Sequence, residues 1–278
     1  HHILAATYFI KGDYKAALPH FEKYESQTEK LSESDFYQLG FIYYQLGNWE
    51  KAIPNFLEIS DVDGAFGQNA NYYLADCYLK TDQKLSARTA LKKVTEMGED
   101  AVLRDESLLN FGKLSSEMGY DREAIDALFI IPVSSLHYNE AQDILKELFV
   151  QTKDYHKAQE ILESKGEVSH QLFEAYQKVC YYKALQSLQN DMEYEAVEDF
   201  TKAIKADRDL SITARSYYWL AEIAQRQGKY QESSHRLIKY FLLIKGVEEI
   251  AGQAAPAFAH YVQGYNYIKL DQYQAALD

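Results

Sequence analysis

Cysteine and proline are scarce in this chain: its 278 residues include two cysteines and four prolines. With only Cys77 and Cys180 there is no disulfide framework, and both read as core-packing residues that leave the redox compartment open. No apolar run reaches 18 residues, so no transmembrane helix is expected. Basic residues are outnumbered, 29 Lys and Arg against 42 Asp and Glu, for a formal charge of −13. They form no basic run either, which argues against nucleic acid and against an anionic membrane surface as main ligands. The acidity keeps a surface rich in tyrosine (24 residues) soluble, with a bias towards basic partner segments.

Catalytic signatures are missing as well. There is no His-Glu-x-x-His, no phosphate loop, no dinucleotide-binding glycine fingerprint and no Gly-x-Ser-x-Gly turn. The eight histidines share no spacing, and His1 and His2 fit either native residues or a purification-tag remnant. Acidic pairs such as Glu99-Asp100, Asp105-Glu106 and Glu248-Glu249 fall at turns or helix starts, where acids favour the helix dipole. No enzyme, cofactor or metal site is expected. No initiator Met, basic n-region or cleavage site is visible, and helical patterns run into both ends. The chain therefore reads as a fragment of a longer protein.

What is present is a repeat. A small residue recurs at 17, 52, 87, 124, 158, 196, 233 and 276, in steps of 35, 35, 37, 34, 38, 37 and 43. These are Ala17, Ala52, Ala87, Ala124, Ala158, Ala196, Ser233 and Ala276. The first seven are followed four positions later by Phe21, Phe56, Leu91, Leu128, Leu162, Phe200 and Leu237. A period near 35 indicates a solenoid in which each unit buries its apolar face against its neighbours.

Each unit reads as two amphipathic helices. In the second, Phe36, Leu39, Tyr43 and Leu46 recur at helical spacing. Gly47-Asn48 then breaks the chain, and Trp49 opens a helix burying Ala52, Ile53 and Phe56. Gly40 is expected to admit a close helix approach, with Ala52 doing the same from the other side. Pro19 and Pro54 occupy equivalent places and should kink their helices or shift their starts.

This pattern resembles the tetratricopeptide repeat. The family's small first-helix residue matches Ala5, Gly40, Ala75, Gly112, Ala184, Ala221 and Gly264, and its turn matches Gly12, Gly47, Asp82, Gly119, Asp191, Gly228 and Asp271. Tyr14, Trp49, Tyr155, Tyr230 and Tyr273 match the aromatic after the turn, so the resemblance covers essentially the whole chain. It implies an all-α, right-handed superhelical solenoid of about eight helix-turn-helix units over residues 1–278, the last truncated. Departures mark irregular stretches around 130–165 and 245–256. In the fifth unit Lys146 replaces the small residue and Lys153 the turn glycine, and in the sixth Tyr194 comes one residue late. Pro132 falls in a loop, and Pro256 is placed to open the last helix.

In this family the first helices line a concave surface that usually holds the ligand. Spacing at i, i+4 and i+7 puts there Tyr37, Phe41 and Tyr44, then Tyr72, Asp76 and Leu79. Further along come Tyr181, Leu185 and Leu188, then Tyr218 and Glu222, then Tyr261 and Tyr265. The middle units offer Leu109, Lys113, Asp143 and Glu147. Tyrosine gives broad contact with a polar tip at low entropy cost, which suits peptide recognition. Packing between adjacent helices is the competing role for any one ring, with Phe41 singled out as a residue needing a cover.

The function expected is a non-enzymatic scaffold binding a protein or peptide in a tyrosine-rich groove. Self-association through open ends and a carbohydrate-binding groove are the alternatives. His2, Ala6, Tyr37 and Phe41 do not make the carboxylate clamp of co-chaperone members of the family. The stretch Ser216–Glu222 followed by Gly228-Lys229-Tyr230 is similar to repeats of bacterial envelope proteins, which implies a periplasmic or envelope location, with cytoplasm as the alternative.

Overall fold

Seven residues in the left-handed region decide where the helices turn. Gly12, Gly47, Gly119 and Gly228 have φ between 74° and 78°, and Asp82, Asp191 and Asp271 have φ of 58° or 59°. All are turn positions read from the sequence. At each, the next backbone N–H reaches back five residues and caps the ending helix: Asp13 to Tyr8, Asn48 to Tyr43, Gln83 to Tyr78, Tyr120 to Ser115, Met192 to Ser187, Lys229 to Ala224 and Gln272 to Tyr267. That bond satisfies a carbonyl the helix itself leaves free.

The computed structural model describes residues 1–164 and 168–277, and among them every regular element is helical. The first compact unit, His1–Ile144, starts with α1 (His2–Ile10), α2 (Tyr14–Glu25), α3 (Glu33–Gln45) and α4 (Trp49–Glu58). It continues through α5 (Ala65–Lys80), α6 (Lys84–Met97), α7 (Ala101–Glu117) and α8 (Asp121–Phe129). Helix α9 (Tyr138–Gln151) carries the chain into the second unit, Leu145–Asp278. There follow α10 (Tyr155–Glu163), α11 (Phe173–Gln189), α12 (Glu193–Ala206), α13 (Leu210–Arg226), α14 (Tyr230–Leu243) and α15 (Pro256–Lys269).

The ladder of small and bulky residues forms the core. All seven small residues from Ala17 to Ser233 are buried, and so are their partners from Phe21 to Leu237. The small first-helix residues explain the fit. A Cβ at Gly40 would lie 3.0 Å from the Phe56 ring, and one at Gly112 would lie 2.5 Å from Leu128 Cγ. The close approach expected at Gly40 is thus filled by the Phe56 ring. Ala276 departs from the ladder, lying half-exposed among turns after α15.

Two buried glutamines add a linkage between pairs. Gln177 Oε1 accepts from the backbone N–H groups of Arg208 and Asp209 at 3.0 and 2.7 Å. Gln68 Oε1 accepts from that of Asp100 at 2.7 Å. Asp100 and Asp209 are the N-caps of α7 and α13, each accepting from two N–H groups of the first turn. Each glutamine, in a first helix, thereby fixes the start of the next first helix.

The fifth pair turns differently. Lys153 is not left-handed, and Asp154 caps α10 by accepting from the Lys157 N–H at 3.0 Å. Pro19 and Pro54 lie within α2 and α4 and leave their starts at Tyr14 and Trp49. Pro256 opens α15, as expected.

Candidate binding grooves

A cavity of about 370 Å³ opens in the second unit between α11, α13 and the segment before α15. Helix α11 contributes Tyr181, Leu185, Leu188 and Gln189, and α13 contributes Arg215, Trp219, Glu222 and Arg226 at helical spacing along one face. Ala251, Gln253 and Ala254 form the far wall. That wall is pinned by the buried Tyr240, whose hydroxyl donates to the Ala254 carbonyl at 2.6 Å, while Ile250 and Ala254 pack with Tyr218 and Leu237.

The polar groups of the cavity are arranged around one ring. The Tyr181 oxygen accepts from Trp219 Nε1 at 3.4 Å and faces the Arg215 guanidinium. Burial raises the Tyr181 pKa against the lowering effect of these donors, so the phenol stays neutral at ordinary pH. Glu222 lies 4.0 Å from Arg226 Nε and also meets the Tyr218 hydroxyl, whose pKa burial and this carboxylate both raise.

In the first unit the first helices carry an aromatic cluster instead. Phe41 has ring neighbours Phe9, Tyr14, Tyr37, Tyr44 and Tyr73, with centroids 5.0 to 6.1 Å away. The Tyr44 hydroxyl donates to Asp76 Oδ2, and that of Tyr72 to Glu106 Oε1, both at 2.8 Å. Burial foremost, then Tyr73, pushes the Tyr37 pKa up to about 12.

Residues 37–101, from within α3 through α6, match the tetratricopeptide repeat family. Over that stretch the chain carries tetratricopeptide repeats. Among solved structures, it aligns with the Naa15/Naa10 complex bound to HypK-THB at a TM-score of 0.50 and 13% identity, over 96% of this chain and 38% of that one. A tetratricopeptide repeat protein from Parabacteroides merdae matches at 12% identity over 99% and 96% of the two chains, TM-score 0.42. MamA matches at 19% identity over 73% and 94%, TM-score 0.38. The likeness to Naa15/Naa10 is one of fold. No curated protein sequence matches the chain significantly.

The tetratricopeptide register places the expected groove residues unevenly. Tyr37, Phe41, Tyr44, Tyr72 and Asp76 are half-buried within one cluster in the first unit. Phe41 already has its cover, supplied by rings of the chain itself. Tyr181 lines the cavity only by an edge, being 5% exposed, and Tyr218, at 4%, is a core residue against Tyr240. Their position on the first helix leans towards the following helices, so packing claims them. Leu185, Leu188 and Glu222 do line the cavity. Leu109 is buried, Lys113 pairs with Glu140 at 2.5 Å, and Tyr261 and Tyr265 are exposed on α15.

In this repeat protein the sequence reading missed Tyr73, Arg215 and Trp219. On α13 the cavity face runs through positions 215, 219, 222 and 226, which keeps the expected 222 and leaves out 218. A distinguishing signal was present in the tryptophan: a large ring with one polar edge, adjacent to a buried tyrosine, suits a half-covered site. Among the described residues there is no helix long and apolar enough to cross a membrane and no group of three or more candidate metal ligands.

Proposed function

We propose that this tetratricopeptide repeat protein is a non-enzymatic scaffold that binds an extended peptide segment of a protein partner, with the α11–α13 cavity as the principal seat. The observation that supports this reading is the cavity's combination of size and lining. At about 370 Å³ it falls in the range of ligand sites, roughly 300–1,000 Å³. Leu185, Leu188 and Trp219 offer apolar surface beside a few oriented polar groups. The Tyr37–Tyr44 face of the first unit, with Tyr72 beside it, is the second proposed contact: the Tyr44 and Tyr72 hydroxyls are held by Asp76 and Glu106, and exposed ring faces suit apolar or basic side chains.

A random peptide library displayed against the immobilised protein tests the reading. Wild type is expected to enrich a family of related sequences, and Leu188→Glu, which puts a charged side chain into the cavity, is expected to lose them while keeping its thermal transition. Failure to enrich any family on wild type, or equal enrichment on the variant, would overturn the assignment.

A further inference from the structure

The polar lining of the α11–α13 cavity contains a cation without a counter-ion. Arg88, Arg104, Arg226 and Arg236 each sit against a carboxylate. Arg215 makes no such ion pair among the described residues, and its Nε is buried with no hydrogen-bond partner. This happens in a chain with 42 acidic residues, where a partner would be easy to supply. Glu222, the acid that shares the cavity, is engaged by Arg226 and Tyr218. A buried guanidinium donor left unpaired is costly, and charge-assisted bonds to a carboxylate are the strongest it can make.

We infer that the cavity selects an acidic side chain flanked by apolar residues within a bound peptide, and that Arg215 is the group that reads it. The inference rests on the peptide-binding reading above. Three observations favour this ligand. Of the two lining cations, Arg226 is paired with Glu193 and Glu222, which leaves Arg215 as the one without a carboxylate among the described residues. The guanidinium fork matches a planar carboxylate in two-point contact. Opposite Arg215, α11 contributes the apolar Leu185 and Leu188 and the Gln189 amide to the lining, and no second cation to clamp a chain-terminal carboxylate. An internal Asp or Glu beside Leu, Ile or Phe uses both surfaces. The general acidity of the chain, which by itself favours basic partners, is reversed locally at this site.

The test repeats the library selection on wild type, Arg215→Gln and Arg215→Lys, with peptides displayed in C-terminally amidated and free forms. Wild type is expected to enrich sequences with Asp or Glu next to an apolar residue, from both forms equally. The leading peptide should bind Arg215→Gln at least about tenfold more weakly, as should its own Glu-to-Gln or Asp-to-Asn analogue on wild type. Arg215→Lys should retain the acidic preference. If Arg215→Gln lacks the wild-type melting transition, the peptide analogue on wild-type protein decides. Enriched peptides without an acidic bias, unchanged affinity for the uncharged analogue, or binding confined to free C-termini would overturn the inference while leaving peptide binding intact. No enrichment at all removes the peptide-binding reading itself.

Discussion

Gly112 and Gly264 hold the same place in the repeat and should respond to the same substitution in opposite directions. A methyl group at Gly112 would meet Leu128 Cγ at 2.5 Å, inside a buried contact, whereas one at Gly264 has nothing nearer than 3.9 Å. Gly112→Ala should therefore destabilise by about 1–3 kcal/mol through overpacking. Gly264→Ala should be neutral or stabilise by up to about 1 kcal/mol, because alanine is the better helix former. Urea unfolding of the two variants checks both signs. Asp35 supplies a pH test at this scale. Burial would raise its pKa above 3.8, but the Ser32 hydroxyl and N–H and the nearby His2 outweigh that and hold it below. A depressed carboxylate pKa stabilises the fold above the unfolded value and loses that contribution as pH falls through the folded one. The extra loss of stability below about pH 4 should accordingly shrink in Asp35→Asn, measured as the difference in melting temperature between pH 7 and pH 3. The turn residues were legible in the sequence because only glycine and a few polar residues accept positive φ. The exposure of Tyr181 and Tyr218 was not. Helical spacing gives the side of a helix, and which neighbouring helix covers that side depends on how adjacent pairs pack.

At the scale of elements, the helix pairs other than the fifth are closed by a left-handed turn, and a bulky residue seated on a small one locks pairs such as α3–α4 and α7–α8; both devices follow from local sequence. The glutamine linkages do not. Gln177 and Gln68 look like ordinary mid-helix polar residues, yet their amides are buried and bound to the start of a helix about 32 residues later. Only the stacked structure brings those groups together. Gln177→Leu should cost about 1–3 kcal/mol, since it leaves two part-buried backbone N–H groups without their acceptor while keeping most of the side-chain volume. Guanidinium chloride denaturation reads this directly, and an unchanged midpoint would show that water replaces the amide without loss. Arg88 plays a related part in the first unit. Its Nε donates to Ser115 Oγ at 2.9 Å, it pairs with Glu123, and its guanidinium carbon lies 4.1 Å from the Tyr120 ring centroid.

The molecule as a whole consists of two compact units, and each contains one cysteine. Cys77 and Cys180 are fully buried, and burial is the main cause that pushes both thiols up to about 12. Neither should react with a thiol reagent while its unit is folded. Cys180→Ser then reports the opening of the first unit alone, and Cys77→Ser that of the second. Rapid labelling of either in native buffer would contradict the packing described. The all-helical repeat architecture was legible because its period repeats along the chain. The cavity was legible only in part: Leu185, Leu188 and Glu222 follow from helical spacing, whereas Arg215, Trp219 and the wall at Ala251–Ala254 come from tertiary packing around Tyr240. The central claim is that a peptide lies in that cavity. Hydrogen–deuterium exchange with and without the most enriched library peptide tests it most directly. The account predicts slowed exchange in residues 181–189, 215–226 and 251–254, and protection confined to other helices, or none, would contradict it.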